Sequence, residues 1–198
     1  MEIAIIKYNA GNIQSVQYAL QRLNVKVLVT DIPEEIKKAD KVIFPGVGNA
    51  ASAMEFLKER QLGKLIKDLK QPVLGICLGL QLLCNFSEEG ETTCLGIFDT
   101  KVKRFKNGVG TEKSKVPQIG WNNLYEMKAP LFRGLAENQY VYFVHSYYAE
   151  LCEETSAQSL YILPYSASLQ KDNFYAVQFH TEKSGVIGEK ILDNFLKL

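Results

Sequence analysis

The feature that most constrains this chain is a regular alternation of short apolar runs and helical patterns in its first half. Each run has the length of a strand and is followed by apolar residues at helical spacing, such as Ile13, Val16 and Leu20 after the first. The runs occupy residues 3–7, 25–30, 41–44 and 73–76. A strand–helix order repeated four times predicts a parallel sheet with helices on both faces, because each connecting helix must pack back onto the sheet.

The second half of the chain has a different pattern, richer in β-branched and aromatic residues. Residues 97–105, 116–124, 140–148 and 160–167 predict additional, partly antiparallel strands, and residues 174–179 predict a last apolar strand before a C-terminal helix. The polar segment 106–115 predicts an exposed loop. We therefore predict a three-layer α/β fold with a mostly parallel central sheet, helices on both faces and added strands in the second half. A length of 198 residues suits one domain spanning residues 1–198.

Charge and cysteine content argue against several classes of function. The chain has 23 Lys and Arg residues against 22 Asp and Glu residues, so its charge gives no reason to expect nucleic acid or a membrane surface as a partner. We find no pattern of a signal peptide and no run of about 20 apolar residues that would span a membrane. The four cysteines match no zinc-binding spacing, so we expect no metal and reduced thiols in the cytoplasm.

The sharpest motif is the sequence VLGICLGLQ at residues 73–81, where an apolar strand runs into Gly-x-Cys-x-Gly and then a helix. This order is typical of a nucleophile elbow, with cysteine in place of serine. Side chains at Gly75 and Gly79 would clash in so tight a turn, and the helix N-terminus would favour the thiolate of Cys77. The amide of Leu78 would point the right way to bind an oxyanion.

A small buried hydrophobic residue is the alternative interpretation of any free cysteine. The strand–turn–helix context favours a nucleophile at Cys77. The other three cysteines have no such context, so we expect buried hydrophobic residues at Cys84, Cys94 and Cys152.

A cysteine nucleophile usually needs a base, and the chain has only two histidines. His180 follows the last apolar run. If that segment is extended, alternate side chains share a face, which places Glu182 beside the imidazole. Active sites of parallel sheets gather at the carboxyl ends of the strands, so we expect His180 to meet Cys77 there. The alternative for His180 is a structural histidine. For His145 we favour a structural or supporting role, because it has no carboxylate two residues on.

The sequence PGVG at residues 45–48 ends another apolar run and would lie at the same edge of the sheet. A glycine-rich turn of this kind aims backbone amides at an anion. It lacks the Lys-Ser/Thr pair of a phosphate-binding loop and the spacing of a dinucleotide site. It fits one wall of an oxyanion hole, with the second amide supplied by Val47 or Gly48.

Taken together, these motifs resemble the class I (triad) glutamine amidotransferases, and within them the glutaminase subunits of imidazole glycerol phosphate synthases. The resemblance covers nearly the whole chain. It is carried by YNAGNIQSV at 8–16, PGVG at 45–48, PVLGICLGLQLL at 72–83, KVPQIGWN at 115–122, YFVHSY at 142–147, and residues 178–194. Six motifs in this order are highly specific, although none would be alone.

The resemblance implies a role for each candidate residue in the hydrolysis of L-glutamine to glutamate and ammonia, with no cofactor and no metal. Cys77 would attack the side-chain amide, His180 would be the acid and base, and Glu182 would orient it. The amides of Val47 and Leu78 would bind the oxyanion. The glutamine pocket would be formed by Gly48, Gln81, Glu89, Ser146 and Tyr147.

The resemblance also implies a heterodimer, in which ammonia passes to a (β/α)8-barrel synthase subunit that forms imidazole glycerol phosphate and an aminoimidazole carboxamide ribotide. The implied contacts with that subunit are Asn12, Gln118, Trp121 and Tyr142.

Two departures from the family pattern bear on these expectations. Gln118 and Ile119 replace His and Met in the segment expected near the partner, which leaves open the same glutaminase chemistry serving another acceptor, such as a sugar amidotransferase. Thr181 replaces Pro between His180 and Glu182, where we expect its side chain to point away from the triad. A stand-alone cysteine hydrolase and a binding module without activity are further alternatives.

Overall fold

The computed structural model describes residues 1–8, 13–106 and 115–198. The helices of this part are α1 Ile13–Arg22, α2 Pro33–Lys38, α3 Ala50–Glu59, α4 Leu62–Asp68, α5 Leu78–Leu83 and α6 Gly185–Leu196, with short 3-10 helices at Pro130–Phe132 and Thr181–Lys183. The strands are β1 Glu2–Ile6, β2 Lys26–Thr30, β3 Lys41–Phe44, β4 Val73–Ile76, β5 Phe86–Ser87, β6 Thr92–Thr93, β7 Lys101–Arg104, β8 Gln118–Leu124, β9 Gln139–His145, β10 Tyr147–Ala149, β11 Thr155–Leu160, β12 Pro164–Lys171 and β13 Phe174–Val177.

Most strands form one large sheet in the order β2-β1-β3-β4-β13-β12-β10-β7-β5-β6, with β11 paired to β12. The first five strands of this order are parallel to one another. Beyond β13 the pairings are antiparallel, except that of β5 with β7. Strands β8 and β9 form a separate antiparallel pair. The predicted α/β class is therefore confirmed, including the antiparallel strands contributed by the second half.

Two hydrophobic cores cover the two faces of the sheet. Along β1, Ala4 and Ile6 face one core while Ile3 and Ile5 face the other, as the alternation of a strand requires. The first core takes apolar side chains from α2, α3, α4 and α5, and the second takes them from α1, α6 and the β8–β9 pair. Every residue of β3 and β4 is buried, which explains why these strands are continuous apolar runs in the sequence.

Several predicted strands of the second half have different bounds in the structure. The run 160–167 contains a turn, in which the amide of Tyr161 donates to the carbonyl of Leu163, so it divides between β11 and β12. The run 140–148 divides into β9 and β10, which belong to different sheets. Residues 97–100 precede β7 rather than belonging to it. The sequence pattern missed most of β11, because its buried Ser156 and Ser159 are hydrogen-bonded polar residues rather than apolar ones.

Two predictions cannot be compared fully with this structure. Most of the predicted loop 106–115 and the candidate contact residue Asn12 lie outside the described residues. The assignment of residues 1–198 to one domain stays a prediction. No helix in the described ranges is long and apolar enough to cross a membrane.

Candidate active site

Three neighbouring parallel strands bring the predicted motifs together at one edge of the sheet. β4 lies between β3 and β13, with Phe44 opposite Gly75 on one side and Val177 opposite Ile76 on the other. The segments that follow these strands begin at residues 45, 77 and 178. The glycine-rich turn, the cysteine and the histidine segment therefore meet at the carboxyl edge, where the sequence placed them.

The turn at Cys77 has the sharp geometry of a nucleophile elbow. Cys77 has φ 54° and ψ −108°, a backbone conformation that L residues rarely adopt. A Cβ on Gly79 would lie 1.9 Å from the carbonyl oxygen of Phe44, and a Cβ on Gly75 would lie 3.0 Å from the backbone of Gly79. The close approach of α5 to β3 and β4 thus requires glycine at both positions.

His180 and Glu182 form a buried pair next to Cys77. Nδ1 of His180 lies 2.8 Å from Oε1 of Glu182, and the side chains of both residues are almost fully buried. Burial lowers the pKa of His180, but hydrogen bonds and charge interactions with Cys77 and Glu182 outweigh it and raise the pKa to about 10. The structure thus brings sulfur, imidazole and carboxylate into one connected group that favours the protonated ring of His180.

The backbone around Glu182 differs from the one that the sequence predicted. Residues Thr181–Lys183 form a 3-10 turn rather than an extended segment, so strand alternation is the wrong reason for the pairing of His180 with Glu182. The 3-10 turn is held by the hydroxyl of Ser184, which donates to the carbonyl of His180 at 2.6 Å. Thr181 is buried, and its hydroxyl has no hydrogen-bond partner among the described residues.

The glycine-rich turn stands over the start of α5 in a closed arrangement. The amide of Leu78 donates to the carbonyl oxygen of Gly46 at 3.2 Å, so this predicted oxyanion donor is already engaged. The hydroxyl of Tyr8 donates to the carbonyl of Pro45 at 2.6 Å and fixes the start of the turn. Gly48 has φ +122°, which favours glycine there. While this hydrogen bond is formed, the amide of Leu78 is not available to an oxyanion.

A cavity of about 440 Å³ opens above Cys77 and has room for an amino acid. Its walls contain the predicted nucleophile and base, both predicted oxyanion residues and the five predicted substrate-binding residues: Cys77, His180, Val47, Leu78, Gly48, Gln81, Glu89, Ser146 and Tyr147. Glu89 accepts a hydrogen bond from the amide of Ala50 at 2.7 Å. Burial raises the pKa of Glu89, against the opposing effect of that hydrogen bond.

His145 also lines the cavity, and its environment suits a supporting role. Its Nδ1 donates to the carbonyl of Tyr147 at 2.7 Å, and its Nε2 lies 3.1 Å from Oε1 of Gln118. Burial lowers the pKa of His145 to about 4, so the ring is neutral at neutral pH. A neutral ring that donates from Nδ1 to the carbonyl of Tyr147 positions that backbone rather than carrying protons.

Sequence reasoning missed two residues of the cavity region. The side-chain nitrogen of Gln178 lies 3.7 Å from Sγ of Cys77, and Lys183 lines the cavity. The signal for Gln178 was the parallel pairing of the preceding strand, β13, with β4, because Gln178 and Cys77 each directly follow one of these strands. Lys183 directly follows Glu182, and the sequence offered no separate signal for it.

The residues predicted to contact a partner lie in different environments. Trp121 is exposed, and its ring packs against that of the half-buried Tyr142 at 5.9 Å between centroids. Ile119, two residues before Trp121, is also exposed. Gln118 is buried, so its side chain contacts His145 and Tyr165 rather than solvent.

A second cavity, of about 1110 Å³, lies between α3, α4 and residues 93–95, away from these groups. The walls of this second cavity contain neither His145 nor His180. The smaller cavity is therefore the one that combines a cysteine with a histidine base. In the described part of the chain, no group of three or more His, Cys, Asp and Glu residues is arranged to hold a metal ion.

Comparisons with known proteins agree with this geometry. The chain matches the family described as glutamine amidotransferase class-I over residues 4–198. It is 58% identical to "Imidazole glycerol phosphate synthase subunit HisH" of Bacteroides fragilis (strain YCH46) over 100% of both chains. It is 43% identical to the protein of the same name in Yersinia pseudotuberculosis, again over 100% of both.

Among solved structures, the fold is similar to that of a glutamine amidotransferase from Thermotoga maritima, with a TM-score of 0.66, 19% identity and coverage of 100% of this chain and 83% of the other. At that identity the likeness concerns the fold alone. The family match spans almost the whole chain and includes the cysteine elbow and the histidine pair. This chain therefore belongs to the class-I glutamine amidotransferase family.

Proposed function

We propose that this chain is the glutaminase subunit of an imidazole glycerol phosphate synthase and delivers ammonia to a (β/α)8-barrel subunit in histidine biosynthesis. The observation that carries the chemical part is the connected group of Cys77, His180 and Glu182 in a cavity of amino-acid size. The full-length relatives named as HisH subunits of that synthase support the biological part.

The reaction follows from the arrangement of the three side chains. Sγ of Cys77 attacks Cδ of the glutamine carboxamide, and the tetrahedral oxyanion is bound by the amides of Leu78 and Val47. His180 gives its proton to the leaving nitrogen, the C–N bond breaks, and ammonia leaves a thioester on Cys77. His180 then takes a proton from water, which attacks the thioester, so that glutamate is released and the thiolate is restored. Glu182 holds the ring and stabilises the imidazolium.

The closed turn at residues 45–48 supports a glutaminase that is slow on its own. The bond from Leu78 to the Gly46 carbonyl occupies an oxyanion donor, and losing one such donor typically costs ~10²–10³ in rate. A partner that moves this turn would switch the reaction on. Coupling of this kind keeps ammonia from being released, and protonated to ammonium, before an acceptor is in place.

The β8–β9 pair is the surface that we propose for the barrel subunit. Ile119 and Trp121 are exposed there, and large apolar side chains of this kind anchor protein interfaces. The carbonyl of Tyr142, next to Trp121 in the pair, accepts the backbone amide of His180 at 2.9 Å. A partner bound to this pair would therefore contact a strand whose backbone is hydrogen-bonded directly to His180. We also propose a cytoplasmic location, because Cys77 must stay reduced to react and the four cysteines are free thiols.

The decisive experiment measures glutamate formation by the chain alone and by the chain mixed with the barrel subunit in the presence of its ribonucleotide ligand. We expect slow hydrolysis alone and a large acceleration in the complex. Cys77→Ala should abolish glutamine hydrolysis while the complex still forms imidazole glycerol phosphate from added ammonium. Cys152→Ala is the matched control, since that half-buried cysteine lies outside the cavity. Glutamine hydrolysis by Cys77→Ala would contradict the mechanism. A rate of glutamate formation that is as high without the barrel subunit as with it would contradict the coupling.

A further inference from the structure

A series of side-chain amides runs from the wall of the cavity to the sulfur of Cys77, and each amide fixes the orientation of the next. The series starts at the main-chain carbonyl of Tyr147, which can only accept hydrogen bonds. The side-chain nitrogen of Gln81 lies 3.1 Å from that oxygen, so the end of Gln81 that faces it is the NH2 group. The same NH2 group lies 3.0 Å from Oε1 of Gln178.

The orientation of Gln178 follows from this contact. Its oxygen accepts from Gln81, so its NH2 group is on the other side, 3.7 Å from Sγ of Cys77. The backbone holds the two residues side by side, because the amide of Cys77 donates to the carbonyl of Val177 at 2.8 Å. Gln178 is fully buried, so water does not compete for its amide.

We propose that Gln178 is a catalytic residue whose side-chain NH2 group donates a hydrogen bond to the Cys77 thiolate and holds the sulfur in position for attack. The proposal rests on the glutaminase activity proposed above and adds a second donor to the sulfur beside His180. It also links the nucleophile to Gln81, whose two N–H groups are both engaged, so that the oxygen of Gln81 is the atom left to meet an N–H group of the substrate.

The need for such a donor arises when the thiol loses its proton. As a thiol, Cys77 points its S–H group at the main-chain carbonyl of Val144, 3.8 Å away. A thiolate cannot donate to that carbonyl, and the two electron-rich atoms repel each other. An N–H donor facing the sulfur offsets this repulsion, and hydrogen bonds to a charged atom are stronger than those between neutral groups.

A purely structural role for Gln178 would have a different signature. If Gln178 only supported Gln81, its loss would disturb substrate binding and raise KM, with no effect on the ionisation of Cys77. A donor to the thiolate instead changes how readily Cys77 ionises, even when no glutamine is present. The pH dependence of Cys77 reactivity therefore separates the two roles.

The test compares Gln178→Met with the wild-type chain and with Gln71→Met. Methionine has nearly the length of glutamine and no N–H group. Gln71 is the matched control, because its amide donates to the carbonyl of Ile36 at 2.9 Å and lies before β4, at the opposite end of that strand from Cys77. Each full-length protein is alkylated with iodoacetamide across a range of pH, and mass spectrometry follows the peptide that contains Cys77.

Other groups near Cys77 also shape this pH profile, and all of them are unchanged in these variants. They come from the segments after β1 and β13, from the end of β9 and from the walls of the cavity: Tyr8, His180, Glu182, His145, Glu89 and Lys183. A difference between Gln178→Met and the wild type is therefore attributable to the missing amide.

We expect the midpoint of the alkylation profile to move to higher pH in Gln178→Met, with the rate below the midpoint falling about tenfold, the factor that matches one hydrogen bond to a charged group. Gln71→Met should follow the wild-type profile. A folded Gln178→Met protein with an unshifted profile overturns the proposal, as does an equal shift in Gln71→Met.

A second measurement uses the wild-type protein and does not depend on the folding of the variant. In protein whose glutamine residues carry 15N, the NMR chemical shifts of the side-chain amide protons of Gln178 should change as Cys77 ionises. This change should be absent in Cys77→Ala. If the chemical shifts of the Gln178 side-chain amide do not change as Cys77 ionises, the proposal is overturned. Neither measurement requires glutamine turnover, so failure of the glutaminase assay would count against the proposed function and not against this contact.

Discussion

Gly79 offers a test in which the structure sets the size of the effect. A Cβ at this position would lie 1.9 Å from the carbonyl oxygen of Phe44, an atom of the β3 backbone that cannot swing aside. To reach ordinary van der Waals contact, the start of α5 and the end of β3 must separate by about 1.5 Å. That movement would displace the Leu78 amide and Cys77 together, because both lie in the same turn.

Gly63→Ala is the matched control for Gly79→Ala. Both glycines are in helices, so both substitutions gain the same helix propensity, about 1 kcal/mol. The Cβ at Gly63 meets only the end of the Leu95 side chain, at 3.3 Å, and that side chain can adjust. The difference between the two variants therefore isolates the clash with the β3 backbone.

We expect Gly79→Ala to lower the free energy of unfolding by about 1–3 kcal/mol, the usual cost of overpacking. Glutaminase activity in the presence of the partner should fall ~10²-fold, because a displacement near 1 Å at reacting groups has that effect. Gly63→Ala should be neutral or slightly stabilising and fully active. Urea unfolding and glutamate formation measure the two effects. Equal behaviour of the two variants would refute the argument that close packing of α5 on β3 positions the nucleophile.

Three further predictions follow from particular side chains. Thr181→Val should raise the free energy of unfolding by ~1 kcal/mol, measured by urea unfolding, since it removes a buried hydroxyl without a partner among the described residues; unchanged or reduced stability would contradict this. His145 has a pKa of about 4 when folded against an ordinary value near 6.5, so the unfolded chain binds more protons between these values and stability should fall as pH drops from 6.5 to 4, by roughly 3 kcal/mol. His145→Phe should lose that slope in unfolding measured at several pH values, and an unchanged slope would count against the assignment. Trp121→Ala should weaken binding of the barrel subunit by about 2 kcal/mol, measured by calorimetry, without changing the free energy of unfolding. The Leu160→Ala variant, which alters a side chain equally exposed on another strand, should bind the barrel subunit with wild-type affinity. Equal affinities of the two variants would show that Trp121 is not in the interface.

The sequence predicts the nucleophile turn well because its constraints are local. A strand that enters a helix within two residues brings backbone atoms so close that Gly75 and Gly79 cannot carry side chains. The two glycines that flank Cys77 in the sequence therefore indicate the turn directly. The parallel order of the first strands is equally local, since each apolar run and its helix are neighbours in sequence. The meeting of Cys77 with His180 also needs β13 to pair in parallel with β4, which is a contact between distant segments.

What the sequence could not predict depends on contacts between distant segments. The 3-10 turn that carries Glu182 is held by Ser184 and packs so closely on α6 that a Cβ on Gly188 would lie 1.9 Å from the carbonyl of Thr181. Nothing in the local spacing distinguishes that turn from an extended segment, and both bring Glu182 to the imidazole. The orientation of Gln178 likewise depends on Gln81 and Tyr147, which only the folded chain places beside it.

Strand β8 shows how such long-range contacts also invert the usual pattern of burial. Its polar Gln118 faces inward, while the apolar Ile119 and Trp121 face outward. Gln118 is accommodated inside because its side-chain oxygen accepts a hydrogen bond from the hydroxyl of Tyr165 at 3.1 Å. In the described part of the chain Ile119 and Trp121 stay exposed, although the Trp121 ring packs against that of Tyr142, and this exposure forgoes roughly 25 cal/mol for every Å² of apolar surface left in water. A strand with its polar side chain inside and its apolar side chains outside is poorly suited to an isolated chain and well suited to one whose outer face is covered by another protein. This inversion is the physical reason for assigning the interface to Ile119 and Trp121, and for placing Gln118 with the residues that support the active site.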